Sequence, residues 1–274
     1  MKFTTSDGLQ LAYEDEGEGP ILLCLPGLTR NARDFDDLAS VINGVRLVRL
    51  TYRGRGESDY DPTYMNYNVL QEAKDALELL DHLEIDKALF VGTSRGGIIA
   101  MLTALMAKGR ISGVLLNDIG PEINTDGMGR IMEYLGVQPK AKTYEDAVAA
   151  LKVTMGSDFP RLSSAEWRAQ AERWFDIAPN SLVLRYDSKL RDAVIEQSAQ
   201  PAPDMWPMFD ALEGLPLALI RGANSDLLTE ESVAEMQRRR PDMLYANVPD
   251  RGHVPFLNET QSVTVIEKLI GQVG

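Results

Sequence analysis

The segment Gly92-Thr93-Ser94-Arg95-Gly96 places a serine between two glycines at the junction of two apolar stretches. Residues 88–91 before it are typical of a buried strand, and residues 97–102 after it are typical of a buried helix. A serine on a tight strand-to-helix turn needs small neighbours on both sides. The following helix directs free backbone N–H groups and its positive dipole end toward the site where an oxyanion can form. This feature predicts an α/β protein with a nucleophilic serine at Ser94.

The composition is that of a globular protein, with 274 residues, 44% of them hydrophobic and 25% charged. This length suits one large α/β domain with an insertion. No apolar run approaches the ~20 residues of a membrane span, and the N-terminus has no apolar signal core, so we expect a cytoplasmic protein with no membrane partner. The formal net charge of −13 disfavours nucleic acid as a partner.

Strand-like and helical patterns alternate along most of the chain, which predicts a mostly parallel sheet with helices on both faces. The chain opens with an antiparallel hairpin around Asp7-Gly8. Further strands are predicted at residues 21–25, 46–50, 87–91, 111–117, 216–221 and 243–248. An amphipathic helix is predicted from Leu70 to Leu83, and another begins at Thr229 and ends before Pro241.

The alternation stops between about Pro121 and Trp206. No strand is predicted there, and helical segments are predicted at residues 144–155, 165–175 and 189–196. We interpret this stretch as a helical cap seated over the site. The predicted organisation is therefore a core domain in two parts, residues 1–120 and 207–274, with a cap insertion at 121–206.

A serine hydroxyl becomes a good nucleophile when a base takes its proton, and the usual base is a histidine. The chain has two histidines. His82 lies at the end of the amphipathic helix, where a solvated or helix-dipole role accounts for it. His253 lies in a loop after the strand 243–248, and α/β sheets build their sites in such loops, so we predict His253 as the base.

The acid that orients this histidine is expected at the end of a neighbouring strand. Asp226 follows the strand 216–221 and gives the chain order Ser, Asp, His, so we predict Asp226. Asp118 also follows a strand and is the alternative, although an aspartate before Gly120-Pro121 is common in turns.

Together these motifs resemble the α/β-hydrolase superfamily over essentially the whole chain. The motifs are Leu25-Pro26-Gly27-Leu28, Tyr52-Arg53-Gly54-Arg55-Gly56-Glu57-Ser58, the turn at Ser94, Asp226, and Gly252-His253. The resemblance implies an oxyanion hole formed by the backbone N–H groups of Leu28 and Arg95. Where many relatives have His-Gly, this chain has Pro26-Gly27. The Arg95 side chain either binds a substrate carboxylate or pairs with an acid of the cap.

The resemblance also implies a function. Haloalkane dehalogenases and epoxide hydrolases of the superfamily carry an aspartate nucleophile, so Ser94 argues against both. We expect a cofactor-free serine hydrolase that acts on an ester, a lactone or a related carbonyl compound. The alternatives are a carbon–carbon bond hydrolase of a vinylogous diketone acid, and a ligand receptor or signalling protein with little turnover. Two distant histidines do not make a normal zinc cluster, so no metal is expected.

The substrate is expected to be a small molecule with an apolar acyl or alcohol group, because bulky apolar side chains are abundant in and beside the predicted cap. The side chains predicted to line the substrate pocket are Met128, Met132, Trp174 and Trp206.

Overall fold

The computed structural model describes residues 1–199 and 203–273. The strands are β1 (Lys2–Thr4), β2 (Gln10–Gly17), β3 (Ile21–Leu25), β4 (Arg46–Leu50), β5 (Ala88–Thr93), β6 (Ile111–Asn117), β7 (Phe175–Ala178), β8 (Ser181–Leu184), β9 (Leu217–Gly222) and β10 (Leu244–Val248). Eight of them form one sheet in the order β1-β2-β4-β3-β5-β6-β9-β10. β2 pairs antiparallel with β1 and β4, and all other neighbours are parallel. The predicted mostly parallel sheet is confirmed.

Helices cover both faces of this sheet. They are α1 (Asp36–Ala39), α2 (Val69–His82), α3 (Arg95–Ala107), α4 (Thr125–Tyr134), α5 (Tyr144–Met155), α6 (Ser164–Trp174), α7 (Leu190–Ser198), α8 (Trp206–Asp210), α9 (Glu230–Arg239) and α10 (Thr260–Val273). One core packs α2, α3, α8 and α9 against the sheet, and the other packs α1 and α10 against its opposite face. No helix in the described part of the chain is long and apolar enough to cross a membrane.

Helix α2 matters for the site because it presents charged residues to the interior. Asn68 caps its start by accepting a hydrogen bond from the Gln71 amide. The buried face includes Ala73 and Leu80, whereas Leu70, at which the predicted helix begins, is 46% exposed. Glu72 and Asp75 also point inward, where buried arginines pair with both of them.

The stretch between β6 and β9 contains helices α4–α8 and a small antiparallel hairpin, β7–β8. The prediction that this stretch has no strand is therefore wrong: two short runs flank the turn at Pro179-Asn180, and Leu182 of β8 is buried against Ala147 and Ala171 of the neighbouring helices. Helix α5 has the predicted bounds, since a capping box at Thr143 fixes its start. Residues 200–202 of the predicted cap lie outside the described residues, and the division at 121 and 206 stays a prediction.

Candidate active site

The backbone around Ser94 forms a sharp turn between β5 and α3. Ser94 itself has φ 51° and ψ −116°, a conformation that non-glycine residues rarely adopt. A Cβ atom on Gly96 would lie 2.0 Å from the carbonyl oxygen of Leu25, and one on Gly92 would lie 2.5 Å from the backbone of Gly96. Both glycines are therefore required by close backbone contacts, as the sequence predicted.

The structure places His253 against Ser94. The Nε2 atom of His253 lies 2.9 Å from the Ser94 hydroxyl oxygen, and its Nδ1 atom lies 2.8 Å from a carboxylate oxygen of Asp118. The other histidine, His82, stacks on Phe3 near the first hairpin. Ser94 follows β5, Asp118 follows β6 and His253 follows β10, so the ends of three strands bring these side chains together.

The predicted contact between Asp226 and His253 is wrong, because Asp118 occupies that position. Asp118 is fully buried and accepts hydrogen bonds from the Gly222 amide at 2.9 Å and from the Ser225 hydroxyl at 2.6 Å. Asp226 instead accepts a hydrogen bond from Arg130 at 2.7 Å, and its side chain is 32% exposed.

The geometry of the two strand ends explains this difference. Asp118 is the first residue after β6, which lies directly between β5 and β9. Asp226 comes four residues after the end of β9, and the intervening turn directs Ser225 inward. The distance from the strand end is the signal in the sequence that favours Asp118, because a side chain next to a strand end stays close to the sheet.

The two backbone amides predicted for the oxyanion hole are free to bind a ligand. Within the described chain, neither the Leu28 nor the Arg95 amide donates a hydrogen bond. The carbonyl group of Leu28 is fixed by a hydrogen bond, because Arg55 Nε donates to its oxygen at 3.0 Å. Arg95 is the first residue of α3, where the amide has no acceptor within the helix.

The Arg95 side chain is bound to protein groups and lines neither of the cavities described below. Its Nε donates to Glu72 at 2.5 Å and its Nη2 donates to the Tyr67 carbonyl oxygen at 3.1 Å. Glu72 is fully buried and also forms an ion pair with Arg55 at 2.9 Å. Of the two roles considered for Arg95, the structure favours pairing, but the acid belongs to α2 and not to the predicted cap.

Two cavities adjoin His253, and Ser94 lines the smaller one. The small cavity has a volume of about 80 Å³ and is lined by Ser94, Leu28 and His253. The large cavity has a volume of about 750 Å³ and extends along α4 and α5. Arg30, Tyr134, Trp174 and His253 line both, so the two cavities are neighbours that share a wall beside α4 and α6.

Of the four side chains predicted to line the pocket, Trp174 lines both cavities. Met128, Met132 and Trp206 line neither, so these three predictions are wrong for the cavities of this structure. Met132 packs into a cluster of buried side chains beside the site. Trp206 donates from Nε1 to Glu122 at 3.0 Å and packs against Phe209. Tyr134, one of the bulky side chains of the predicted cap, also lines both cavities, whereas Arg30 carries no periodic or motif signal in the sequence.

Comparison with known proteins agrees with this fold. Residues 22–265 match the family model described as "Alpha/beta hydrolase family". The chain therefore belongs to the alpha/beta hydrolase family, and it is an enzyme, a hydrolase.

Individual relatives are similar over nearly the whole chain. A 3-hydroxybutyrate-oligomer hydrolase of Cupriavidus necator is 34% identical, and the match covers 93% of this chain and 91% of the relative. A putative 2-succinyl-6-hydroxy-2,4-cyclohexadiene-1-carboxylate synthase of Bacillus subtilis is 29% identical over 94% of this chain and 93% of the relative. A crystal structure of an alpha/beta hydrolase from Novosphingobium aromaticivorans has a TM-score of 0.92 at 37% identity, covering 99% of this chain and 97% of that one.

Proposed function

We propose that the protein is a cofactor-free serine esterase that hydrolyses carboxylic esters of hydroxy acids, with Ser94, His253 and Asp118 as its catalytic triad. The observation that carries this proposal is the continuous hydrogen-bonded series from Ser94 through His253 to buried Asp118. The match to a 3-hydroxybutyrate-oligomer hydrolase supports the substrate class, because such an oligomer is a chain of hydroxy-acid esters.

The reaction has two stages. His253 Nε2 accepts the proton of the Ser94 hydroxyl as its oxygen attacks the ester carbonyl carbon. The negative charge on the carbonyl oxygen is stabilised by the free amides of Leu28 and Arg95. The carbon–oxygen bond to the alcohol then breaks, and His253 returns its proton to the departing oxygen.

Water completes the cycle in the second stage. His253 accepts a proton from the water molecule, whose oxygen attacks the acyl carbon, and the bond to Ser94 breaks as the proton passes to the serine oxygen. Asp118 orients the imidazole through the contact with Nδ1 of His253, so that Nε2 faces Ser94 and accepts its proton. The hydrogen bonds from Gly222 and Ser225 hold the Asp118 side chain in this position.

The alternative of carbon–carbon bond hydrolysis depended on Arg95 as the group that binds a substrate carboxylate. The guanidinium of Arg95 is paired with Glu72, so that argument no longer supports it. The small volume of the cavity at Ser94 supports an ester with a short acyl group, whose alcohol part occupies the large cavity.

Labelling with a fluorophosphonate tests the mechanism, and a series of p-nitrophenyl esters tests the substrate class. We expect the label on Ser94 by peptide mass spectrometry, and faster hydrolysis of acetate and butyrate esters than of decanoate esters. The Ser94→Ala variant controls for labelling elsewhere. Folded wild-type protein that neither takes the label nor hydrolyses any ester would contradict the proposal and would favour the receptor alternative.

A further inference from the structure

Arg30 differs from the other arginines near Ser94 in lacking a hydrogen-bonded partner. Arg55 and Arg95 both contact Glu72. The side chain of Arg30 donates no hydrogen bond within the described chain, and its closest carboxylate oxygen, on Asp34, lies 3.8 Å from Nε. The Arg30 side chain is 21% exposed, so its charge is largely withdrawn from bulk water, and its one ion pair in the described chain, with Asp34, is a long one.

Arg30 also lies close to the serine. A Cβ atom built on Gly27 would be 3.4 Å from Cγ of Arg30 and 3.8 Å from Cβ of Ser94, so these two side chains flank Gly27. Arg30 lines both cavities, whereas Ser94 lines the small one. Arg30 is therefore within reach of a second group on a substrate whose carbonyl carbon lies at Ser94.

The guanidinium of Arg30 is held in place by an aromatic ring. Its Cζ atom lies 3.6 Å from the centroid of the Trp174 ring. Contact with a ring face leaves the N–H donors at the edge of the guanidinium plane free, and these are the donors that bind a carboxylate in a bidentate manner. The Trp174 Nε1 atom nearby is also buried without a hydrogen-bond partner.

Asp34 neutralises this cation only in part. One of its carboxylate oxygens, Oδ1, is buried without a hydrogen-bond donor. Burial raises the pKa of Asp34 to about 6, with opposing contributions from Arg30 and Arg173. The carboxylate is thus poorly stabilised in its charged form, and it does not saturate the donors of Arg30.

We propose that Arg30 binds a carboxylate of the substrate, so that the enzyme prefers anionic esters to neutral ones. This inference rests on the proposed hydrolysis of esters at Ser94. In a 3-acyloxy acid, two carbons separate the ester oxygen from the carboxylate. The carboxylate is therefore close to the ester carbonyl that reacts with Ser94. The substrate class is therefore a 3-acyloxyalkanoate with a free acid end, and Arg30 determines specificity.

A pair of substrates with the same scissile bond tests Arg30. 3-Acetoxybutyrate is anionic, and 3-acetoxybutyramide is its neutral counterpart; release of 3-hydroxybutyrate or its amide is measured for each. Wild type is expected to prefer the acid. Arg30→Met is expected to lower kcat/KM for the acid by about 10- to 100-fold, mainly through KM, and to leave the amide nearly unchanged, as for the loss of one charge-assisted contact.

Arg33→Met is the matched control, because Arg33 lies in the same segment, donates to the Glu172 carbonyl oxygen and lines neither cavity. It should change neither substrate. Asp34→Asn should act in the opposite direction and lower KM for the acid alone, because it removes the nearest competing carboxylate. Equal losses on both substrates in Arg30→Met, or a wild-type preference for the amide, would overturn the proposal.

Failure of the esterase proposal is recognised separately. If wild type hydrolyses neither compound, calorimetric titration with 3-hydroxybutyrate and 3-hydroxybutyramide still tests Arg30. Tighter binding of the acid by wild type, lost in Arg30→Met and kept in Arg33→Met, supports the inference. No binding of the acid by wild type, or equal binding by wild type and Arg30→Met, refutes it. Circular dichroism checks that each variant is folded.

Discussion

Replacement of Asp118 by asparagine separates the two carboxylates considered for the acid of the site. Asp118 accepts three hydrogen bonds, from His253 Nδ1, the Gly222 amide and the Ser225 hydroxyl. An asparagine keeps the shape but turns one oxygen into an NH₂ donor. If this NH₂ faces His253, the imidazole adopts the tautomer that cannot accept the proton of Ser94; if it faces Gly222, two donors meet in a buried space.

The first arrangement resembles the equivalent change in a serine protease, for which kcat falls by about 10⁴. The second leaves a buried donor unsatisfied and costs about 1–3 kcal/mol of stability. We therefore expect Asp118→Asn to remain folded, with a kcat loss approaching 10⁴. Asp226→Asn should change kcat by less than about 3-fold, because Asp226 forms a partly exposed ion pair with Arg130, worth at most about 1 kcal/mol.

The assay is hydrolysis of p-nitrophenyl acetate at saturating substrate across pH 6 to 9, with urea unfolding of each variant as the control for stability. The rate is measured across this range because loss of the histidine base lowers kcat at every pH. An inactive Asp226→Asn beside an active Asp118→Asn would refute the reasoning, and so would full activity in both variants.

Two further predictions concern the backbone turn and the buried acid. Gly96→Ala is expected to destabilise the protein by about 1–3 kcal/mol and to abolish ester hydrolysis, because its Cβ would lie 2.0 Å from a backbone oxygen. Gly109→Ala is the control and should leave activity intact, because the space around Gly109 is open. Chemical unfolding and hydrolysis rates check both variants. The pKa of Asp34 is raised from 3.8 to about 6 in the folded protein, so its ionisation lowers stability as the pH rises through that interval. Asp34→Asn should raise the free energy of unfolding by up to about 3 kcal/mol near pH 8 and by almost nothing below about pH 4, and a pH-independent difference in urea unfolding would contradict this cause.

The parts of the site that the sequence predicted are those with local signals. The glycines around Ser94 are required by contacts within a few residues or with the adjacent strand, and His253 follows a strand that the apolar pattern reveals. The choice between Asp118 and Asp226 depends on the path of the turn after β9, which chain order does not reveal.

The pocket could not be predicted because it depends on how the inserted helices are oriented. Met128 and Met132 are four residues apart on α4 and thus share one face, whereas Ile131 and Tyr134 on a different face line the cavities. Which face of α4 covers the site is set by packing against distant elements. Arg30 was missed for a similar reason, since the lack of a hydrogen-bond acceptor for its side chain among the described residues is a property of its surroundings.

Glu72 pairs with both Arg55 and Arg95, so the three positions differ in how well they tolerate substitution during evolution or engineering. Loss of Arg95 leaves a buried pair, Arg55 and Glu72, whose charges still balance, but loss of Glu72 leaves two buried cations without a counterion. Position 95, next to the nucleophile, is thus the more permissive member of this cluster, and Glu72 is the position at which a single substitution is most harmful. A library aimed at the residues around Ser94 should therefore vary position 95 and keep Glu72, although Glu72 touches no part of the cavity.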